Sequence, residues 1–284
     1  MLLGAHLSIA GGLHRALLAA GDYGFQTVAV FVRNQVQWKC HPLEDKAVRL
    51  FRRTRRSVGI SPVVAHASYL VNLAGGQEVR QRSIAAMVED LGRCGRLGIE
   101  YLTFHGGASA DVKAGIALIA DALNRIVAAC PHRRPRILLE TTAGQGNSIG
   151  WRFQQLAEIL SRLDRPRRFG VCLDTCHVFA AGYDIRTPRA YRRTMAQFDR
   201  AIGLGRLWAV HVNDSKRPLG SRVDRHEHIG LGRIGLDGLA NFVRDSRLAE
   251  IPLILETPKG YTDDGRDWDA VNAQALRDLA ARSR

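Results

Sequence analysis

The 284-residue chain has little cysteine, little lysine and no long apolar run, and each shortage excludes something. Its five cysteines (Cys40, Cys94, Cys130, Cys172 and Cys176) are odd in number and form no CxxC pair. That argues against a disulfide-stapled secreted scaffold and for a reducing cytoplasm. Cys172 and Cys176 sit on an apolar, strand-like run and read as packing residues. No apolar stretch approaches the roughly 18 residues that a membrane span requires, so no membrane role is expected. The start, MLLGAHLSIAGG, carries neither a charged leader nor a long apolar stretch and reads as mature sequence. No Pro/Ser-rich linker or low-complexity tract divides the chain, so residues 1–284 are expected to form one domain. Apolar residues at 46% are ample for its core and exclude a disordered chain.

Acidic residues are also in deficit: 27 Asp+Glu face 41 Lys+Arg, a formal charge of +14. Such an excess favours a polyanionic partner, because cations that neutralise phosphates release counterions. Yet 36 of the 41 cations are Arg, a skew that genome composition alone can produce. The clusters FRRTRR (51–56), RPRR (165–168) and RAYRRT (189–194) lie on helix-patterned stretches, where solvated faces are usual. Charge alone leaves both readings open.

Short β-rich runs alternate with longer segments of helical period. The strands expected are 2–7, 27–32, 62–67, 101–105, 136–141, 169–174, 207–212 and 252–257. Eight helical stretches follow them, three ending before Gly24, Gly59 and Gly98, which suit helix termination. Eight repeats of about 35 residues are the size expected of a single-domain α/β protein with the (β/α)8 TIM-barrel fold.

Polar, ligand-type residues recur at the ends of six successive expected strands: His66, His105, Glu140, Asp174, His211 and Glu256. They are 34 to 45 residues apart, about one βα unit each time. In a barrel those positions ring the catalytic mouth. His177 lies three residues beyond Asp174, and the segment VDRHEH adds Asp224, His226 and His228. A lone strand-end His is usually a hydrogen-bonded structural residue, and Glu140 could pair with an Arg. Six placements in register are harder to explain as independent accidents. Converging carboxylates repel one another unless cations lie among them, which points to a metal site. Imidazole and carboxylate without cysteine suit zinc, manganese or iron better than calcium or magnesium. These ten candidate ligands are too many for one ion and imply two or three. Such centres activate water and stabilise both oxygens of an in-line phosphoryl displacement, so charge and metal count together point to phosphodiester hydrolysis.

These residues lie in segments that are themselves distinctive. They include GAHLSIAGGL (4–13), NQVQW (34–38), HASYLVNL (66–73) and ETTAGQG (140–146). DTCHVFAAGYDIRT (174–187), HVNDSK (211–216), GSRVDRHEHIGLGRIG (220–235) and LILET (253–257) complete the set. In this shared order the chain resembles, from end to end, the endonuclease IV family of apurinic/apyrimidinic DNA repair endonucleases. The resemblance implies a barrel with three zinc ions, manganese being able to take one position, that cuts duplex DNA on the 5′ side of an abasic site. The products would be a 3′-hydroxyl and a 5′-deoxyribose phosphate. It also implies that His66, His105 and Glu140 hold one ion. Glu140 would bridge to a second with Asp174, His211 and Glu256, while His177, Asp224 and His226 would hold the third. Glu140, Asp174 and Glu256 would be the catalytic carboxylates, and His228 falls outside the set. Gln35, Gln37 and Tyr69 match positions that enter the minor groove or fill the gap at the lesion, and Arg225 is grouped with these DNA contacts. Nothing demands more than a monomer.

The chain departs from the family pattern in places. Val36 replaces an Arg frequent between the two glutamines, and Gly106 replaces a Pro after the fourth strand. Thr141 stands for Asn and Leu231 for Glu. None of these removes a ligand; they bear on grip and substrate range. Two other readings compete: a metal-dependent sugar isomerase or epimerase on the same barrel, and a protein that binds damaged DNA without cutting it.

Overall fold

In a β-strand successive side chains point to opposite faces, and this parity decides what the strands of this chain enclose. The computed structural model describes residues 1–131 and 135–282. Eight strands form one parallel sheet: β1 (Leu2–Ala5), β2 (Val28–Phe31), β3 (Val63–His66), β4 (Tyr101–Phe104), β5 (Arg136–Glu140), β6 (Phe169–Asp174), β7 (Leu207–His211) and β10 (Pro252–Leu255). Their order is β1-β10-β7-β6-β5-β4-β3-β2. The remaining seam is joined by Gln26 N–H to Leu3 O at 2.9 Å and Leu7 N–H to Ala29 O at 3.0 Å. The sheet therefore rolls into the expected TIM barrel.

Two apolar populations follow from the parity. One set of strand residues, including Val63, Ala65, Ile137, Val171 and Val210, packs outward with the helices into a large core. The alternate set forms two small clusters apart from it, Ala29, Val64 and Ile254, and Leu138, Cys172 and Ala209. These fill the barrel interior. Two residues beyond five of them come His66, Glu140, Asp174, His211 and Glu256. Parity thus carries each of these polar side chains inward, one layer nearer the mouth. His105 and Glu256 lie one residue past the ends of β4 and β10.

The covering helices are α1 (Leu13–Asp22), α2 (Asp45–Val58), α3 (Gln77–Leu97), α4 (Val112–Ala129), α5 (Phe153–Ser161), α7 (Pro188–Ala201), α8 (Gly235–Val243) and α9 (Trp268–Ala281). Gly59 and Gly98 cap α2 and α3 with φ of 71° and 79°, a conformation open to glycine at little cost. Two features depart from the eight-and-eight expectation. A short helix α6 (Thr175–Ala180) follows β6 directly, where the Asp174 side chain accepts the His177 N–H and caps its start. A hairpin of β8 (Asp214–Ser215) and β9 (His226–Glu227) folds the segment after β7 back over the mouth. No helix is long and apolar enough to cross a membrane among the described residues.

Candidate metal centre

At the mouth, four imidazoles meet one buried carboxylate. Glu140 Oε1 lies 3.0 Å from His211 Nδ1, 3.3 Å from His105 Nε2 and 3.4 Å from His177 Nδ1. Its Oε2 lies 3.2 Å from His66 Nε2. Glu256 Oε2 reaches His211 Nδ1 at 3.1 Å. On the far side, Asp224 spans His177 Nε2 at 3.1 Å and His226 Nε2 at 3.4 Å. Ligand atoms gather within 4.8 Å of one another in three main groups: His66, His105 and Glu140; Glu140, Asp174, His211 and Glu256; and Asp174, His177 and His226. Eight of the nine expected ligands fall in these groups, and the ninth, Asp224, joins the last through its contacts with His177 and His226. Asp174 Oδ2 is also 3.6 Å from His226 Nε2, so this carboxylate stands between the second and third groups.

Hydrogen bonds behind the ring aim these side chains. His66 Nδ1–H donates to Ala67 O at 2.6 Å, His177 Nδ1–H to Thr141 O at 2.8 Å, and His226 Nδ1–H to Glu256 O at 2.9 Å. Each bond selects the tautomer whose Nε2 lone pair faces the centre. The Nε2 atoms of His105, His177 and His226 are buried yet have no hydrogen-bond partner. Buried lone pairs facing carboxylate oxygens at 3.1–3.6 Å without hydrogen-bond geometry are what a cation-binding donor set looks like.

Electrostatics agree. Burial alone would raise the Glu140 carboxyl, but His211 and His105 outweigh it and hold it well below its ordinary value. Glu256 is likewise raised by burial and lowered further by His211 and His6, ending well below the usual range. Burial lowers His177 and His211, but Asp174 and Asp224 overcome it at the first, and Cys172, Glu256 and Glu140 at the second, leaving both well above the ordinary histidine value. The carboxylates thus favour positive charge among them, which is what metal ions would supply. The donor chemistry fits the ions named above. Cys172 and Cys176 also border these groups, but burial pushes their thiols up to about 11 and about 12, so they stay protonated packing residues.

Three residues support the ring without having been expected to. His6, one residue past β1, donates from Nδ1 to Glu256 Oε1 at 3.0 Å, and burial holds its pKa below the ordinary value. Asn213 donates to Asp174 Oδ2 at 2.7 Å and accepts the Glu256 N–H at 2.8 Å, tying two candidate ligands together. The Thr141 hydroxyl accepts the Asp174 N–H at 2.9 Å, so this departure from the family pattern has a bonding role here. The only sequence signal for any of them was position, His6 and Asn213 standing beside strand ends. His228 stays outside the ring, stacked on Trp268 at 3.7 Å and accepting from Asn272.

Two rim loops hold three of the expected DNA contacts, Gln35, Gln37 and Tyr69. The Gln35 carbonyl accepts from Tyr69 N–H at 3.1 Å and Ser68 Oγ at 2.7 Å, joining the loops after β2 and β3. Arg33, buried, clamps the base of its loop by donating to Asp90 at 2.6 Å and to Trp38 O at 3.1 Å. Val36 and Tyr69 project from this frame, 61% and 60% exposed, and Gln37 is exposed beside them. The Tyr69 ring meets Phe31 edge-on at 5.2 Å, which sets its direction over the mouth. Arg225 is exposed on the opposite rim, its guanidinium donating to Asp224 O at 2.6 Å.

Fold and site together define a (β/α)8 barrel with a candidate multi-metal mouth. Residues 17–279 match the family described as xylose isomerase-like TIM barrel. The chain is 45% identical to a Chloroflexus aurantiacus protein named "Probable endonuclease 4", over 97% of each chain. It is 46% identical to a Geobacter sulfurreducens protein of the same name, over 99% of this chain and 95% of that one. The crystal structure of endonuclease IV from Thermus thermophilus superposes with a TM-score of 0.89 at 36% identity, covering 100% of both chains. A D-tagatose 3-epimerase-like protein shares the fold at a TM-score of 0.75 and 19% identity, covering 99% of this chain and 97% of that one. This chain belongs to the endonuclease IV family.

Proposed function

We propose that the chain is a DNA repair endonuclease that hydrolyses the phosphodiester 5′ to abasic sites in duplex DNA, leaving a 3′-hydroxyl and a 5′-deoxyribose phosphate. The observation that carries the reading is the set of nine converging donors, among which His105, His177, His211 and His226 each bury an Nε2 with no hydrogen-bond partner. Family membership and the +14 charge support DNA as the substrate. His66, His105 and Glu140 would hold one zinc, Glu140, Asp174, His211 and Glu256 a second, and His177, Asp224 and His226 a third. Bound ions of this kind supply Lewis acidity, lowering the pKa of water and offsetting charge on the phosphate and the departing 3′-oxygen.

The chain's own residues do the rest. Glu256 is kept ionised by His211 and His6, so its carboxylate can accept a hydrogen bond from the attacking water and orient it in line. Glu140 and Asp174 fix the spacing of the donors around the reacting phosphate. Tyr69 and Val36 occupy the gap at the lesion, Gln35 and Gln37 track the groove, and Arg225 engages a phosphate. An abasic nucleotide has no base to unstack, so extruding it costs less than extruding a paired one.

The test is an end-labelled duplex bearing one tetrahydrofuran abasic analogue, which cannot undergo β-elimination. A cut 5′ to the analogue, lost on chelation and absent from an undamaged duplex, is the expected result. Fully metallated protein that leaves the analogue intact would overturn the reading and favour sugar isomerisation on the same barrel. A second outcome concerns His6. Removing the partner that orients a ligand typically costs about 10- to 100-fold in activity or metal affinity. His6→Ala should therefore slow incision by that factor and speed metal loss to a chelator. A change under about twofold in both would deny His6 this orienting role.

A further inference from the structure

Beyond the ring of ligands, a group of arginines on the same face of the barrel forms no ion pair among the described residues. Trp151, in the loop between β5 and α5, carries two guanidinium groups against its indole. The Arg222 carbon lies 3.8 Å from the ring centroid and the Arg152 carbon 4.4 Å. Arg222 is fixed from behind. At the end of α6, Gly220 N–H joins Gly182 N–H on Phe179 O at 3.1 Å, and Arg222 N–H fills Ala180 O at 2.9 Å. Gly220 packs on Gly182 to allow this, and Arg222 takes the left-handed φ of 53°. That conformation is costly for a non-glycine residue, and here the surrounding contacts hold it.

Beside the stack opens a cleft of about 680 Å³, bounded by Trp151, Arg152, Tyr183, Asp184, Arg193 and Gln197. Its one carboxylate, Asp184, is gripped by Arg186 through two bonds of 2.9 and 3.0 Å and is only a Coulombic neighbour of Arg193. Among the described residues, Arg152, Arg193 and Arg222 form no ion pair. The cleft is therefore a polar, net-cationic hollow. The stack leads toward the ring, because Arg222 precedes Asp224 by two residues and Gln145 fixes the Asp224 N–H at 2.9 Å.

From this we infer a phosphate-binding extension of the centre, in which Arg152, Arg193 and Arg222 take the phosphodiester backbone of the DNA strand leaving the mouth on the Asp224 side. The inference rests on the nuclease reading and adds a place and a direction to its grip. Stacking leaves the edge N–H donors of a guanidinium free while limiting its rotamers, which favours bidentate contact with phosphate.

The test uses the full metallated chain and a fluorescent 30-base-pair duplex, with and without the abasic analogue, in binding titrations from 50 to 200 mM salt. The Arg152→Gln/Arg193→Gln/Arg222→Gln variant should bind at least about tenfold more weakly in mid-range. Its salt slope should shrink by roughly one unit for each phosphate no longer neutralised, up to about three. KM for incision should rise with Kd, and metal content should match the parent, which shows that the fold and ring survive. Trp151→Leu keeps every charge but frees the guanidiniums, so it should weaken binding severalfold with a smaller change in slope. Parent-like affinity and slope in the triple variant would overturn the inference while leaving the nuclease reading intact. A parent that binds neither duplex would overturn both.

Discussion

Replacing Glu140 by Ala is expected to abolish incision for practical purposes, by roughly a thousandfold or more, and to remove at least one bound ion per chain. A thousandfold is about 4 kcal/mol of transition-state stabilisation, within the several kcal/mol that a metal supplies. The size follows from the crowd around this side chain. Four imidazoles lie within 3.4 Å of its oxygens, and its relative exposure is 1%. No neighbour can move in to replace it without abandoning another position in the ring. A metal-stripped protein gives an independent readout through linkage. Glu140 is depressed in the folded state, so its contribution is present above the ordinary glutamate value and lost as pH falls through the depressed one. Its raised partners His66, His177 and His211 contribute below the ordinary histidine value and lose that contribution as pH rises through their folded values. Parent and variant should therefore differ most in chelated stability in weak acid, with the gap closing toward both extremes. Elemental analysis and denaturant melts check both parts. Full metal content with activity within tenfold of the parent would refute the shared-ligand role.

The second large effect concerns folding. Asp214 is wholly buried and, among the described residues, forms no ion pair; five backbone N–H groups surround it instead. Its Oδ1 accepts from Ser215 at 2.8 Å and Ile234 at 2.9 Å, and its Oδ2 from Gly230 at 3.0 Å and Gly232 at 3.1 Å. Gly235 donates to both oxygens at 3.2–3.3 Å. A Cβ at Gly232 would stand 2.4 Å from Oδ1, so only glycine lets the loop close this tightly. Asp214→Ala leaves those donors buried without an acceptor, and hydrogen bonds to a charged group are worth about 1.5–3 kcal/mol each before relaxation. Allowing for water entry, a loss of about 3–5 kcal/mol is expected, lowering Tm by on the order of 10 °C. The segment this carboxylate organises returns from Asp224 and His226, so the third ligand group should also loosen. Melts of chelated protein separate the folding loss from the metal loss, and a drop under about 1 kcal/mol would show that the loop folds without its anion.

How much of this was readable in advance varies by residue. The strands were legible because β-rich runs recur at one βα unit, and their inward ends because parity links Val64 to His66 and Leu138 to Glu140. His177 was legible through its spacing from Asp174, but the helix that carries it was not. Six residues are too few to show a 3.6-residue period, and α6 exists because Asp174 caps it. His6 and Asn213 were missed because a single polar residue near a strand end gives no pattern of its own. The stack of Arg222 on Trp151 joins loops far apart in the chain, and nothing local in either segment announces the other.

The barrel, the identity of the candidate ligands and the cationic character of the surface were all present in the order of residues. These are properties of periodicity and composition, which survive in one dimension. Folding in space settled which lone pairs lack partners, which imidazole nitrogen faces inward, and which arginines remain uncompensated. Those depend on what lies within a few ångströms across the chain, and the parallel pairing of β1 with β10 is what brings His6 to Glu256, 250 residues away.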